Sequence, residues 1–364
     1  MQVPATTPTR LLQIATARRS VMEEGLPALG SPPWIERSWR RCLESGQRPD
    51  DRVGFDVLPV EQLRRVKEAN HQLVAAARPV LEQLGRAIAS SRYFAILTNE
   101  AGVVVDAHGP IDRADPRATL ITRIGVDLSE RSVGTSAIGA ALTELQPVWL
   151  HRGEHFYQDT GCYSCAGAPL FDPDGRCAGM LDLTGIDAAE RPELKHLVAQ
   201  SARSIENALT LARPHRLVLR LNWPGRPLGD DGDGLVCLDG DGWVTGSNAA
   251  AREMAPALAQ GMHAPIHCSE LFAQAWEPLF DRARDADPAA LEVALWSGLR
   301  LAALPQPAGE RPGASRLPLR DVEIALIRQA VSDARGNVME AARALGISRA
   351  TVYRKLAQKS HSNE

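Results

Sequence analysis

Lysine is scarce: of 41 basic residues only Lys67, Lys195, Lys355 and Lys359 are lysine, and the arginine bias carries no mechanism of its own. No run of 18 apolar residues occurs, so no transmembrane helix is expected. The opening MQVPATTPTRLLQIATARRS has no apolar core followed by a small-residue cleavage site, so no secretory signal is expected. The six cysteines (Cys42, Cys162, Cys165, Cys177, Cys237 and Cys268) are too sparse for a disulfide framework and fit reduced thiols in a cytoplasm. No Gly-Lys dipeptide occurs, which excludes a G-x-x-x-x-G-K-[ST] loop for cradling nucleotide phosphates. A net charge of −3 gives no sign of a nucleic-acid binder over the whole chain.

What is there is ordinary in bulk and uneven in detail. A chain of 364 residues with 44% hydrophobic residues suggests two or three domains with sizeable cores. Residues 31–46 read as a helix with Pro32 or Pro33 in its first turn and Gly46 as its stop. Apolar residues at three- and four-residue steps predict helix from Pro59 to about Ser91, bent or divided by Pro79. The period then changes. Tyr93–Thr98 and Gly102–Ala107 predict paired strands, and so do Cys165–Phe171 and Cys177–Leu183 around the turn at 172–176. Ser136–Leu145 and Glu190 to about Leu211 read as helices, and Pro147–Leu150 as a short strand. Leu235–Leu238 and Trp243–Thr245 suggest a hairpin, Asn248–Leu258 a helix, and Leu291–Leu301 a helix or strand. The fold class expected is α+β, an antiparallel sheet flanked by helices with a smaller unit behind it. The boundaries expected are a helical lead at 1–58, a sensor domain at 59–213, a small unit at 214–303, a linker at 304–318 and an all-α end at 319–360.

The sharpest signal is that end. Residues 320–358 predict three short helices. Asn337 caps the second, with Glu340 three residues on; Gly346 supplies the turn; Ser348 caps the third, with Ile347 and Val352 at staple positions. Ala350, Val352 and Leu356 can face a core, which leaves Arg349, Thr351, Tyr353, Arg354 and Lys355 outward, the residue types that read a major groove. Charge agrees: residues 316–359 hold nine Lys/Arg against four Asp/Glu, whereas 222–310 hold five against thirteen. GNVMEAARALGISRATVYRKL resembles the Fis-type helix-turn-helix of bacterial enhancer-binding regulators. The resemblance implies double-stranded DNA as a partner, with Ser348, Arg349, Thr351, Tyr353, Arg354 and Lys355 as recognition contacts, and dimerisation through a first helix at about Asp321–Ala334.

The middle of the chain resembles the GAF domain of the acetoin-catabolism-regulator family. The matching features are Ser129-Glu130, the GTxAIG block at Gly134–Gly139, Glu154–Phe156, Cys165–Pro169, and GxLDLTG at Gly179–Gly185. Ser136 stands where the family more often has Asn. WIERSWRRC matches the same family's N-terminal helix, and GLVCLDGDGWVTGSNAAA at 234–251 its degenerate PAS-like unit. A sheet roofed by the 125–165 segment makes an enclosed pocket, with Trp149, His155, Phe156, Tyr163 and Cys165 as candidate lining for a small-molecule effector. His151, His155, Cys162 and Cys165 have spacings that a tetrahedral zinc can use, and Cys162 with Cys165 can form a redox pair. The resemblance accounts for His155 and Cys165 without a metal, so neither metal nor cofactor is expected.

The function expected is that of a cytoplasmic, ligand-responsive, non-enzymatic transcription regulator. It is homodimeric, without a membrane partner, and lacks the sigma-54 ATPase usual in the family. Two alternatives stand beside it: a modulator that forms mixed dimers with an ATPase-bearing relative, and a cysteine-based redox sensor or reductase.

Overall fold

Seven successive buried residues, Tyr93–Asn99, make the first strand, and their side chains alternate between two cores. The computed structural model describes residues 8–28, 30–260, 264–285 and 289–308, with Val338, Met339, Ala342 and Arg349 beyond them. Residues to Ala308 form one unit and those from Gly309 another. In chain order the helices are α1 (Pro8–Met22), α2 (Pro33–Glu44), α3 (Val60–Ala69), α4 (His71–Ala87), α5 (Pro116–Ile121), α6 (Glu130–Val133), α7 (Ala137–Glu144), α8 (Leu194–Leu211), α9 (Ala249–Met254), α10 (Ala257–Gln260), α11 (Cys268–Leu271) and α12 (Glu277–Arg282). The strands are β1 (Tyr93–Asn99), β2 (Val104–His108), β3 (Val148–His151), β4 (Tyr163–Phe171), β5 (Cys177–Ile186), β6 (Leu217–Asn222), β7 (Gly234–Leu238), β8 (Val244–Ser247), β9 (Leu291–Ala294) and β10 (Arg300–Pro307). The architecture is α+β, with two five-stranded antiparallel sheets.

The first sheet runs β2-β1-β5-β4-β3. Tyr93, Ala95, Leu97, Leu181 and Leu183 face α4 and α8, whereas Phe94, Ile96, Met180 and Ile186 face α2 and the crossing segment of α5–α7. The second sheet runs β8-β7-β6-β10-β9. This is the same plan with one change: its central strand enters first in the chain instead of last. Leu217, Leu219 and Leu221 of β6 bury one face under α9–α12, and Val218 with Cys237 meets Leu211 of α8 on the other. One helix therefore serves both sheets, with Val198, Ala202 and Ile205 under the first and its C-terminal end against the second.

Several expectations are corrected. Residues 8–22, read as loosely patterned, form α1, whose inward face is only Ile14, Ala17 and Val21. The 59–91 helix divides at Asn70 and not at Pro79. The Asn70 amide bonds the Val66 carbonyl at 2.9 Å and ends α3, while Pro79 sits inside α4. Leu291–Leu301 is neither one helix nor one strand but β9, a turn at Gly298, and the start of β10. The helix expected over Asn248–Leu258 is two, α9 and α10, parted at Ala255–Pro256.

The linker expected from Leu304 starts later, because Leu304–Pro307 pair with Arg220–Leu217 in β10. Two prolines are tolerated there for a geometric reason. The Ala308 N–H points to the Arg216 carbonyl, so by alternation positions 305 and 307 turn their missing N–H groups away from β6, beyond the last residue paired to β9.

Candidate effector pocket and DNA-binding segment

A cavity lies between the first sheet and its roof. The centre of a water-sized molecule has about 40 Å³ in which to move there, and the atom-free space, open solvent at its mouth included, is about 380 Å³. Most of the wall is apolar, from Ile96, Ile121, Leu128, Val133 and Ile138. Strand alternation supplies its polar floor: Asp182 and Thr184 of β5 and Cys165 of β4 point to the same face as Ile96. Cys165 and Thr184 are directly opposed across the two strands.

The protons on this floor can be placed. The Thr184 hydroxyl donates to Asp182 Oδ2. That leaves the Thr184 oxygen to accept from the Cys165 thiol, 3.4 Å away. Burial pushes the thiol well above its ordinary range, which keeps it a donor. Burial also pushes Asp182 up to about 7, against the opposing effect of the Thr184 hydrogen bond.

His155 enters from the roof. Its Nδ1 lies 2.9 Å from the Arg152 carbonyl, which can only accept, so Nδ1 carries the proton and Nε2 the lone pair. Burial lowers its pKa to about 4, so the ring is neutral at pH 7. Asp182 Oδ1 and His155 Nε2 are both buried without a hydrogen-bond partner, although buried polar groups are nearly always paired.

The roof is held from outside by α2. Arg41 forks onto Glu130 with bonds of 2.7 and 2.9 Å, and Ser38 Oγ lies 2.5 Å from Glu130 Oε2 and 2.7 Å from Thr135 Oγ1. Those contacts give the Ser129-Glu130 and GTxAIG motifs their physical content. Gly134 has a φ of 65°, and a Cβ there would sit 2.8 Å from Phe156 Cβ; one on Gly139 would sit 2.9 Å from the Glu130 nitrogen. Ser136 faces the cavity and caps α7 by accepting from the Gly139 N–H.

The structure places His155, Tyr163 and Cys165 on the cavity wall. It places two other candidates elsewhere. Trp149 of β3 points to the opposite face, packing among the α4–α8 side and stacking on His151, because alternation puts Val148 and Leu150 inward. Phe156 is fully buried in the roof against Gly134, behind the wall. His151 Nδ1 lies 2.8 Å from Ser164 Oγ, on the far side of the sheet from Cys165. Among the described residues, no group of three or more His, Cys, Asp or Glu is arranged to hold a metal ion. Asp182 and Thr184 are functional candidates that the sequence reading passed over. An Asp and a Thr alternating with leucines in LDLT were the available signal.

Of the DNA-contact candidates, Arg349 is helical and exposed. Ser348, Thr351, Tyr353, Arg354 and Lys355 lie outside the described residues. Ala342, also in this segment, is buried. Among the described residues no helix is long and apolar enough to cross a membrane.

Residues 29–207 match the family model of the MimR N-terminal domain, and residues 318–358 that of the bacterial regulatory proteins of the Fis family. The acetoin catabolism regulatory protein of Cupriavidus necator is 32% identical over 256 residues, 68% of this chain and 37% of that protein. The acetoin dehydrogenase operon transcriptional activator of Bacillus subtilis is 31% identical over 48% of this chain and 29% of its own length. The propane 2-monooxygenase operon transcriptional activator MimR of Mycolicibacterium goodii is 30% identical over 49% and 30%. The chain thus spans about a third of the length of these relatives. One sequence thus carries a match to the MimR N-terminal domain and a match to the Fis-type helix-turn-helix, and it is similar to transcriptional regulators of the acetoin-catabolism and MimR type.

Proposed function

We propose that this DNA-binding regulator responds to a small uncharged molecule held in the cavity over β4 and β5, and that it acts on DNA without hydrolysing ATP. The observation that carries the reading is the pair of unpartnered atoms, Asp182 Oδ1 and His155 Nε2, in one apolar enclosure. Near neutrality His155 Nε2 accepts, and the Asp182 carboxyl, half neutral, donates or accepts. An occupant with a hydroxyl group on a short hydrocarbon body satisfies both, donating to Nε2 and accepting from the protonated Asp182; a carbonyl alone satisfies only the acid. An anionic occupant would meet no opposite charge, since His155 is neutral and Asp182 is either neutral or negative. The cavity size suits a few heavy atoms.

Ser348, Arg349, Thr351, Tyr353, Arg354 and Lys355 carry the DNA contact in this reading, as the third helix of the Fis-type unit at residues 319–360. Two copies placed as a homodimer read paired half-sites, and an effector that favours one packing of α4 and α8 changes their spacing. The absence of any Gly-Lys dipeptide in these 364 residues supports action without an ATPase. The other boundaries proposed are a helical lead to residue 58, a sensor to 213 and a PAS-like unit from 214 to Pro307. The test is a thermal-shift screen of the purified protein against neutral two- to five-carbon alcohols, ketones and hydroxyketones. Binding to the native state raises the melting temperature, and Asp182→Ala should abolish the shift. No shift with any of them contradicts the reading.

A further inference from the structure

The roof segment that delivers His155 follows directly on β3 and is gripped by two helices. Trp39 of α2 donates its indole N–H to the Glu154 carbonyl at 2.9 Å, and α1, the amino-terminal helix, supplies two arginines. Arg18 of α1 reaches three carbonyls of that segment: Nη1 donates to Gly153 O at 3.2 Å and His155 O at 2.5 Å, and Nη2 donates to Phe156 O. About two turns earlier, Arg10 pairs with Glu154 at 2.5 Å. Glu154 is itself buried, and its other oxygen accepts from the His151 N–H at 2.7 Å. Ile14, between the two arginines, lies where a Cβ on Gly153 would meet it at 3.2 Å. The segment so gripped is strained: Arg152 is a non-glycine residue with a φ of 48°. Such backbone persists only where its surroundings over-determine it. The carbonyl of that same strained residue is the one that receives the His155 Nδ1 proton.

We propose that α1 is a clasp on the effector pocket, and that Arg18 is the positioning residue that holds the 152–156 turn so that His155 presents Nε2 to the cavity. Arg18 touches no occupant; it acts through three backbone carbonyls. Without it the turn relaxes, the Arg152 carbonyl moves off Nδ1, and the ring proton is free to sit on either nitrogen. The pocket then loses its fixed acceptor. The planar guanidinium fork matters here, because its two Nη groups donate from fixed, separated positions, whereas an ammonium is a single point on a flexible stem. The proposal rests on the cavity being the effector site, but its test reads the His155 ring itself and needs no effector.

The experiment is a long-range proton–nitrogen spectrum of the full chain labelled with nitrogen-15 histidine, at pH 7. His155→Gln serves only to identify the His155 signals. Wild type should give the signature of a single Nδ1–H tautomer at His155. Arg18→Ala should give an averaged signature approaching an even mixture or the opposite tautomer, and Arg18→Lys an intermediate one. Leu12→Ala, on the exposed face of α1, should leave the signature unchanged. If Arg18→Ala does not fold, Arg18→Lys decides. A pure Nδ1–H signature in a folded Arg18 variant overturns the clasp. Loss of that signature in the Leu12 control overturns it equally. A pocket that binds nothing, with the tautomer lost as expected, would count against the effector site and leave the clasp standing.

Discussion

Replacing Asp182 by Asn should make the protein progressively more stable relative to wild type as the pH rises from about 4 to 7. The carboxyl is fully buried, and burial lifts its pKa from the ordinary 3.8 to about 7. The unfolded chain therefore releases this proton near 3.8, while the folded chain keeps it until about 7. Below 3.8 both states hold the proton and the group costs nothing extra. Between those values the unfolded state is favoured by about 1.4 kcal/mol per pH unit, and the cost levels off above 7 at about 4 kcal/mol. About 3 kcal/mol of that change falls between pH 4.5 and 7.5. Asn has the shape of the neutral acid and does not titrate, so it removes the dependence. Glu206, which burial also lifts to about 7, contributes the same slope to both proteins and cancels in the difference. Urea unfolding at pH 4.5, 6 and 7.5, followed by tryptophan fluorescence, reads this directly. A wild-type-to-variant difference constant to within about 1 kcal/mol over that range would refute the dry, neutral floor on which the pocket depends.

Three further outcomes are expected. Asp233→Ala should cost about 3–5 kcal/mol in the unfolding free energy, because it leaves the buried Arg220 guanidinium without its 3.2 Å counter-ion. Trp39→Phe should cost about 1–3 kcal/mol by the same measurement, since the Glu154 carbonyl that accepts its indole N–H at 2.9 Å is left unpaired in a closed core. Arg349→Ala should weaken specific DNA binding by about 1–3 kcal/mol in gel-shift titrations if it reads a base, and an unchanged affinity removes it from the interface.

How much was legible in the sequence differs by level. Strand pairs with short turns, such as Tyr93–Thr98 with Gly102–Ala107, could be read because apolar runs of strand length, rich in β-branched and aromatic residues, lie on either side of a turn signal. α1 could not: its buried stripe is three residues, one an alanine, among arginines whose roles are contacts 135 to 144 residues away. The roof motifs pointed to the right region, but which side of β3 faces the cavity is set by register, so Trp149 and Leu150 were indistinguishable beforehand. Asp182 was missed for the opposite reason. In a strand reading LDLT an acidic residue looks solvent-facing, and only the roof packed above β5 turns that face into an interior. Leu304–Pro307 read as linker because two prolines signal irregular chain. The free edge of β10 that tolerates them is a tertiary fact.

The central claim is that occupancy of one neutral cavity changes how this chain holds DNA. A footprinting titration of the purified protein on the DNA upstream of its own gene, without ATP, tests it most directly. It should be run with and without whichever small neutral alcohol or ketone raises the melting temperature. A discrete protected site whose affinity shifts with the effector in wild type, and does not shift in Asp182→Ala, is the predicted result. A protected site indifferent to every effector, or no specific protection at all, would contradict it.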